Sequence, residues 1–411
     1  MKKSLHFCGI GGAGMAPLAR IALQSGCRVS GSDRELNAKT AELARMGAAV
    51  YPEHAAEHLP EDCELLIYSS AVPEDNPERA AARARGIPEL RRGHFLAELA
   101  ARYPVTVAVS GSHGKTSTTA MLVWILRKAG KKPGWLIGGA VPGLASGEAG
   151  DGTLFVTEAD ESDGTHTLLR PTIGVIPNIE DDHAWSVGGR EQLFTNFRTF
   201  AANCGQLIYT GKALANFFGR PGIAFGDAGP AGFAGFQKFD ANLAAAAAGM
   251  LGVPRETAFA ALADFPGVER RMTVRYEAEG LTVVEDYAHH PTEVAASLAL
   301  LRERYPGRHL RVVFQPHRYA RLAQYFDRFA EELRAADSVV VAPVFAAWSE
   351  TGKVGSAELA EAIGPRAVSV AGDWPAVAAA ALAEKARPMV LAVLGAGDIA
   401  QVFRFLPLGN L

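Results

Sequence analysis

Cysteine is scarce. The 411 residues hold four, Cys8, Cys27, Cys63 and Cys204, and none falls at metal-type spacing. That excludes a disulfide framework or a cysteine zinc module as the basis of the fold, and reduced thiols in a cytoplasmic protein are expected. A basic excess is also missing. Lys plus Arg is 41 against Asp plus Glu 44, a net charge of −3, so no nucleic-acid partner is implied. No run of 18 apolar residues occurs, so no membrane-spanning helix is expected. The start, Met1-Lys2-Lys3-Ser4-Leu5-His6, is positive but lacks the apolar core of a secretory leader. What is present is ordinary for a globular chain: 48% hydrophobic and 21% charged residues, enough to bury several cores. The 43 glycines and 23 prolines supply many turns and strand–helix junctions, which favours α/β architecture. At roughly 100–200 residues per domain, three domains are expected.

The order of strands and loops divides the chain at about 100 and 265. Residues 1–100 open with strand Leu5–Cys8, a glycine-rich turn, a helix Ala16–Gln24 and strands Cys27–Ser30 and Leu65–Tyr68, with a short helix after Arg91-Arg92-Gly93-His94. Residues 101–265 begin with strand Val105–Val109 and a helix Thr118–Ala129. Strands Leu154–Glu158 and Ile173–Asn178 and a close-packed helix Ala241–Met250 follow. Residues 266–411 carry strands at Leu281–Glu285, Leu310–Phe314, Ser338–Val341 and Met389–Leu394, with helices between them.

Five clusters carry chemistry. Gly111-Ser112-His113-Gly114-Lys115-Thr116-Ser117 lies between a strand and a helix, as a P-loop requires, though Val109 occupies the place of its first glycine. Backbone N–H groups and the helix N-terminus would meet phosphate there, with Lys115 on the outer phosphates and the Thr116 hydroxyl on Mg²⁺. Gly9-Ile10-Gly11-Gly12-Ala13-Gly14-Met15, with Asp33 ending the next strand, has the layout of a diphosphate-and-nucleoside site in which Asp33 meets a ribose. Glu158-Ala159-Asp160-Glu161-Ser162-Asp163 ends a strand, and Asn178-Ile179-Glu180-Asp181-Asp182-His183 ends the next. Charge alone reads each as a solvated loop; beside a P-loop, they are where a nucleotide's metal is held. Asp286-Tyr287-Ala288-His289-His290 suits metal or anion binding, or surface histidines in a turn. Arg318 and Arg321, three apart after a strand, suit a carboxylate or phosphate.

Together these strings resemble the Mur ligase family, the ATP-dependent amino-acid ligases of peptidoglycan precursor synthesis in the bacterial cytoplasm. Ser30-Gly31-Ser32-Asp33, Ser69-Ser70-Ala71-Val72 and Gly267-Val268-Glu269-Arg270-Arg271 add to the match, which spans the chain in family order. The resemblance implies an N-terminal Rossmann-like domain for a UDP-sugar, held by Gly9, Gly11, Gly12, Ala13, Gly14, Met15, Ser32, Asp33, Ser69 and Ser70. It implies a central P-loop domain for ATP, held by Gly111 to Ser117 with Asn242, Arg270 and Asp286, and a C-terminal Rossmann-like domain for the amino acid. Two Mg²⁺ ions are implied, one on Thr116 and Glu158 and one on His183. Lys115, Glu158, His183, His289 and His290 are the implied catalytic residues, and His289, Arg318 and Arg321 the implied amino-acid contacts. The branch most similar joins L-alanine to UDP-N-acetylmuramate.

The chain departs from the family in four places. Gly205–Asn242 is tens of residues short. The adenine-contact string Gly-x-His-Asn-x-x-Asn is replaced by Gly235-Phe236-Gln237-Lys238-Phe239-Asp240-Ala241-Asn242, in which Asn242 keeps one position. Ala184-Trp185 replaces an aliphatic residue and Asp, and Ala347-Trp348-Ser349-Glu350 replaces Ala-Gly-Glu. Alternatives remain: a recycling ligase that joins a whole tripeptide to the same sugar, a ligase for another amino acid or sugar nucleotide, a nicotinamide oxidoreductase on Gly9–Gly14 and Asp33, and a silent binder of the UDP-sugar or a muropeptide. The recycling branch carries a Cys-Gly-Thr first loop in place of Gly9-Ile10-Gly11-Gly12; the oxidoreductase leaves the P-loop unexplained. No interface stripe stands out, so the oligomeric state is open.

Overall fold

Three sheets organise the chain, each built on short β-branched runs that end in glycine or polar loops. The computed structural model describes residues 3–182, 184–223, 229–278, 280–347, 351–384 and 388–407. The first sheet is fully parallel, in the order β3-β2-β1-β4-β5. Its strands are β1 (Ser4–Cys8), β2 (Arg28–Ser32), β3 (Ala49–Tyr51), β4 (Leu65–Tyr68) and β5 (Glu89–Arg91). The second has the order β11-β10-β6-β9-β7-β8. It uses β6 (Val105–Val109), β7 (Gly134–Leu136), β8 (Gly147–Glu148), β9 (Leu154–Glu158), β10 (Ile173–Val175) and β11 (Gln206–Ile208). The third has the order β12-β13-β17-β14-β15-β16. It uses β12 (Thr273–Ala278), β13 (Leu281–Asp286), β14 (His309–Phe314), β15 (Ser338–Val341), β16 (Ala367–Ser369) and β17 (Met389–Leu394), with β12 antiparallel at one edge.

The strands expected from sequence are the buried ones. β1, β4, β6, β9, β13, β14, β15 and β17 fall where apolar runs place them, because a strand covered on both faces reads as a continuous Val/Ile/Leu run. Others were not anticipated. β3 and β5 are three residues each, half-buried, and close the two edges of the first sheet. The P-loop helix begins at Lys115 rather than Thr118, and the alanine-rich helix begins at Gly235 rather than Ala241. Strand β10 stops at Val175, so Pro177 and Asn178 belong to the loop.

The chain forms two compact units. One is Met1–Phe233 with Lys238–Pro266, the other Ala234–Gln237 with Gly267–Leu411. In the first unit one core runs through both sheets, including Phe7, Phe95, Phe155 and Phe200. There Gln24 Nε2 donates to Glu148 Oε1 at 2.7 Å, and the Ala149 N–H donates back to Gln24 Oε1 at 2.8 Å, tying β8 to the helix Ala16–Gln24. The second unit has one core on each face of its sheet, around Phe314 and Phe329 on one side and Val313 and Leu391 on the other. Among the described residues no helix is long and apolar enough to cross a membrane.

Candidate active site

Parallel register puts the chemistry of the second sheet at one edge. Val109 pairs with Glu158 and Val175 with Val109, so the P-loop, the acidic string and the Asn178 loop all leave the carboxyl ends of adjacent strands. Open α/β sheets bind ligands there. The loop turns sharply at Gly114, which has φ of +81° and whose added Cβ would lie 2.6 Å from Asp240 Oδ1. Only glycine takes that conformation at that distance. Gly114 then caps the helix Lys115–Lys128, whose first N–H groups face an incoming anion.

Asn178 clamps the loop. His113 N–H donates to Asn178 Oδ1 at 2.8 Å, Asn178 Nδ2 donates to His113 O at 3.1 Å, and Ser112 N–H donates to Asn178 O at 3.2 Å. Glu180 N–H donates to Ser112 Oγ at 2.8 Å. Lys115 Nζ curls over its own loop, 2.6 Å from Gly111 O and 3.2 Å from Ser112 O, and pairs with Glu161 Oε2 at 2.8 Å. Burial disfavours the ammonium, but Glu161, Asp160 and Glu158 outweigh it and push its pKa up, so it stays charged. Glu161 is also buried; burial pushes it up to about 7 against the pull of Lys115, and Asp160 adds to the rise. The lysine's charge is the firmer element of this pair, because two further carboxylates favour it. Thr116 Oγ1 donates to Glu158 Oε2 at 3.2 Å, and Gly138 N–H donates to Glu158 Oε1 at 2.6 Å. A hydroxyl and an oriented carboxylate side by side are the hard oxygen donors that Mg²⁺ takes. Thr116 and Glu158 therefore suit a bound Mg²⁺. His183 lies outside the described residues.

The first sheet ends beside this array. Gly9 N–H and Ile10 N–H donate to Ser32 O at 2.8 and 3.0 Å, and Ser69, which follows β4, lies against Gly9. Asp33 serves the loop: Gly11 N–H donates to its Oδ2 at 2.8 Å. That bond orders the turn through Gly12, Ala13 and Gly14 to Met15, which is buried. Gly14 is packed so closely on Arg92 that a Cβ would sit 2.8 Å from the guanidinium. Arg92 in turn reaches Asp163 at 2.5 Å and Asp160 at 3.4 Å. It therefore joins the first glycine loop to the acidic string. Sequence gives no local sign of this, since the partners are 68 and 71 residues away.

Not every expected residue faces the loop. Asn242 is buried, donates to Lys238 O at 3.1 Å and accepts from Arg255 at 3.1 Å. Asp240, two residues earlier, is the side chain against Gly114. Ser117 lies in the helix Lys115–Lys128.

In the second unit the remaining candidates meet at the carboxyl ends of β13, β14 and β17. Arg270 Nε donates to Glu285 Oε1 at 3.0 Å, and its terminal nitrogen donates to Gly395 O at 2.8 Å and Gly397 O at 3.0 Å. Asp286 accepts from Met272 N–H at 2.7 Å and Ala288 N–H at 2.8 Å; burial pushes its carboxyl up to about 6, against Arg271. His289 Nδ1 lies 3.0 Å from Tyr287 O and 3.1 Å from Glu293, and its ring meets His317 edge-on. His290 is buried edge-on to Tyr325. Buried Arg321 lies 3.1 Å from His317 Nδ1. Arg270 and Arg318 both hold left-handed backbone, φ 60° and 70°. Such strain costs about 1–3 kcal/mol for a non-glycine residue and gathers at functional sites. Trp348, Ser349 and Glu350 lie outside the described residues.

His166 supports the acidic string from behind. Its N–H donates to Asp160 O at 3.1 Å, and its ring packs on Phe197 and Phe200. Burial lowers its pKa from 6.5 to about 4. A histidine that is neutral when folded leaves stability intact above pH about 6.5 and removes it as pH falls toward 4, a loss of about 3 kcal/mol. Urea unfolding of wild type and His166→Phe across that window should show a flatter pH slope in the variant; equal slopes would contradict this origin.

Three family models match in chain order: the Mur ligase family catalytic domain over residues 4–104, the Mur ligase middle domain over 109–210, and the Mur ligase glutamate ligase domain over 270–397. A UDP-N-acetylmuramate–L-alanine ligase of Myxococcus xanthus is 37% identical over 97% of this chain and 93% of that protein. The protein of that name from Thermobifida fusca is 34% identical over 97% and 94%. The first alignment spans 446 positions against 411 residues here, so at least 35 positions of that relative have no counterpart in this chain. The crystal structure of UDP-N-acetylmuramate-alanine ligase from Thermotoga maritima superposes with a TM-score of 0.80 at 28% identity, covering 98% of both chains. A murein peptide ligase from Psychrobacter arcticus shares the fold, with a TM-score of 0.68 at 22% identity, covering 100% of this chain and 99% of that one. The three matches follow the three sheets in chain order, and with 37% identity to the Myxococcus xanthus ligase over 97% of its own length the chain belongs to the Mur ligase family.

Proposed function

We propose that this protein joins L-alanine to UDP-N-acetylmuramate by an amide bond, using ATP and Mg²⁺ and passing through an acyl phosphate. The observation that carries the reading is the Val109–Glu158 register, which sets Thr116 Oγ1 3.2 Å from Glu158 beside Lys115. The names of the relatives from Myxococcus xanthus and Thermobifida fusca, matched over nearly their whole lengths, support the substrate pair. Residues 1–100 are assigned to the UDP-sugar, 101–265 to ATP and 266–411 to the amino acid.

A carboxylate resists attack by an amine because its leaving group is poor; phosphorylation removes that obstacle. Lys115 exchanges its contacts with Gly111 O and Ser112 O for phosphate oxygens and disperses charge during transfer. Glu161 and Asp160 keep that lysine protonated. Thr116 and Glu158 would hold Mg²⁺, which when bound neutralises phosphate charge. The glycine loop Gly9–Met15, with Ser32, Ser69 and Ser70, takes the sugar nucleotide, and Arg92 couples its position to the acidic string. Arg318 and Arg321 take the carboxylate of the amino acid, leaving the amine free. His289, held by Tyr287 O and Glu293, is the candidate base, with His290 behind it.

Losing a hydrogen bond to a charged group costs about 1.5–3 kcal/mol, so Arg318→Ala should raise KM for the amino acid roughly 10–100-fold with little change in KM for ATP. Steady-state kinetics with each substrate varied in turn would test this; equal rises in both would remove the clamp role. The direct test of the whole reading is amide formation from the two named substrates, detected as product mass.

A further inference from the structure

Beneath the first glycine loop lies a buried cluster that the ligase reading leaves unused. His6 and Cys8 alternate on β1, so their side chains leave the same face of the sheet. Glu78, from the helix Pro77–Ala84, meets them there. All three are 0% exposed. Cys8 Sγ is 2.8 Å from Glu78 Oε2, and His6 Nε2 is 3.4 Å from Glu78 Oε1. One donor atom from each lies within 4.8 Å of the other two. His6 Nδ1 is 2.8 Å from Ser30 Oγ, which orients the ring so that Nε2 points inward.

Hydrogen bonding explains only half of the cluster. Glu78 Oε2 is bonded by Cys8 and by Ser32 Oγ at 2.6 Å. His6 Nε2 and Glu78 Oε1 are both buried and face each other at 3.4 Å, longer than a normal hydrogen bond. Two buried donor atoms joined this loosely can take a ligand in common. His54 Nδ1, 3.3 Å from Glu78 Oε2, and His58 Nδ1, 3.9 Å from Oε1, belong to side chains 12% and 17% exposed.

We propose that His6, Cys8 and Glu78 form a binding site for a borderline-soft divalent cation, with Zn²⁺ the best match. Imidazole, thiolate and carboxylate are its donors, and a tetrahedral site with bonds of about 2.0–2.3 Å puts its ligands about 3.3–3.7 Å apart; His6 Nε2 and Glu78 Oε1 are already 3.4 Å apart, whereas Cys8 Sγ, 2.8 Å from Glu78 Oε2 as a thiol, must draw back as its proton leaves. Mg²⁺ does not suit a sulfur and a nitrogen. Three protein donors leave a fourth position for His54 or water. On binding, the Cys8 S–H bond breaks, its proton passes to solvent and the sulfur–metal bond forms. Ser32, which also holds Gly9 and Ile10 through its carbonyl, links the site to the floor of the sugar-nucleotide loop. The spacing of the cysteines along the chain could not reveal this, because two ligands come from one strand and the third from a helix 70 residues on.

The test is titration of the full chain, stripped of metal by chelation, with Co²⁺. The expected result is one Co²⁺ per chain, intense tetrahedral d–d absorption, a thiolate-to-cobalt charge-transfer band, and bleaching when Zn²⁺ is added. Cys8→Ala should abolish the charge-transfer band and weaken Co²⁺ binding at least roughly tenfold, with circular dichroism reporting that the variant is folded. The triple variant Cys27→Ala, Cys63→Ala, Cys204→Ala should keep the band, so the assignment does not rest on Cys8→Ala folding. Absence of a charge-transfer band in wild type, its persistence in folded Cys8→Ala, or its loss in the triple variant would overturn the proposal.

Discussion

Replacing Lys115 by Ala is expected to reduce ATP-dependent amide formation by at least roughly 10²–10³-fold, the range for removing one preorganised group that stabilises transition-state charge. The loss should fall on kcat. Lys115 is at the start of the helix Lys115–Lys128, already charged and already aimed across the loop by Gly111 O, Ser112 O and Glu161. In the proposed reaction it would meet negative charge that grows during phosphoryl transfer, and alanine supplies none. UDP-N-acetylmuramate binding, read by calorimetry, should change little, because the glycine loop Gly9–Met15 belongs to a different sheet. If Lys115→Ala turned over ATP at the wild-type rate, any ATP hydrolysis seen would not come from this loop, and the protein would be a binder of the sugar nucleotide.

The second large effect is at Glu158. Glu158→Ala removes the carboxylate that faces Thr116 Oγ1 at 3.2 Å and that Gly138 N–H orients at 2.6 Å. We expect kcat to fall roughly 10²-fold or more and to stay low when Mg²⁺ is raised, since an ion without its oriented ligand does not sit where phosphate charge develops. The readout is the Mg²⁺ dependence of phosphate release in wild type and variant. Recovery of near-normal turnover would take Glu158 out of the proposed metal site and leave it a structural partner of the Gly138 turn.

Much of this array can be read from sequence alone, and the reason is local. A β-branched strand such as Val105–Val109 followed by glycines and Lys-Thr needs no distant information, and the same holds for Leu154–Phe155–Val156 running into carboxylates. The edge strands β3, β5 and β16 were not legible, because three half-exposed residues show neither an apolar run nor alternation. Helical phase was the other gap. Asp240 and Asn242 are about 200° apart around their helix, so only one can face Gly114. The string named Asn242; the helix starting at Gly235 turns Asp240 to the loop instead. Contacts across long separations were invisible as well. Glu161 was seen as one of a run of acids, yet only folding shows it buried against Lys115. Arg92 was seen as the start of a helix, yet it spans from Gly14 to Asp163.

The most direct test of the central claim is phosphate release by the purified chain with ATP, Mg²⁺ and UDP-N-acetylmuramate, offering each amino acid in turn and, separately, the tripeptide. Release is expected to require the sugar nucleotide together with L-alanine, and to yield a product heavier than the sugar nucleotide by one alanyl residue. Release with the tripeptide and not with L-alanine, or no release with any acceptor, would contradict it.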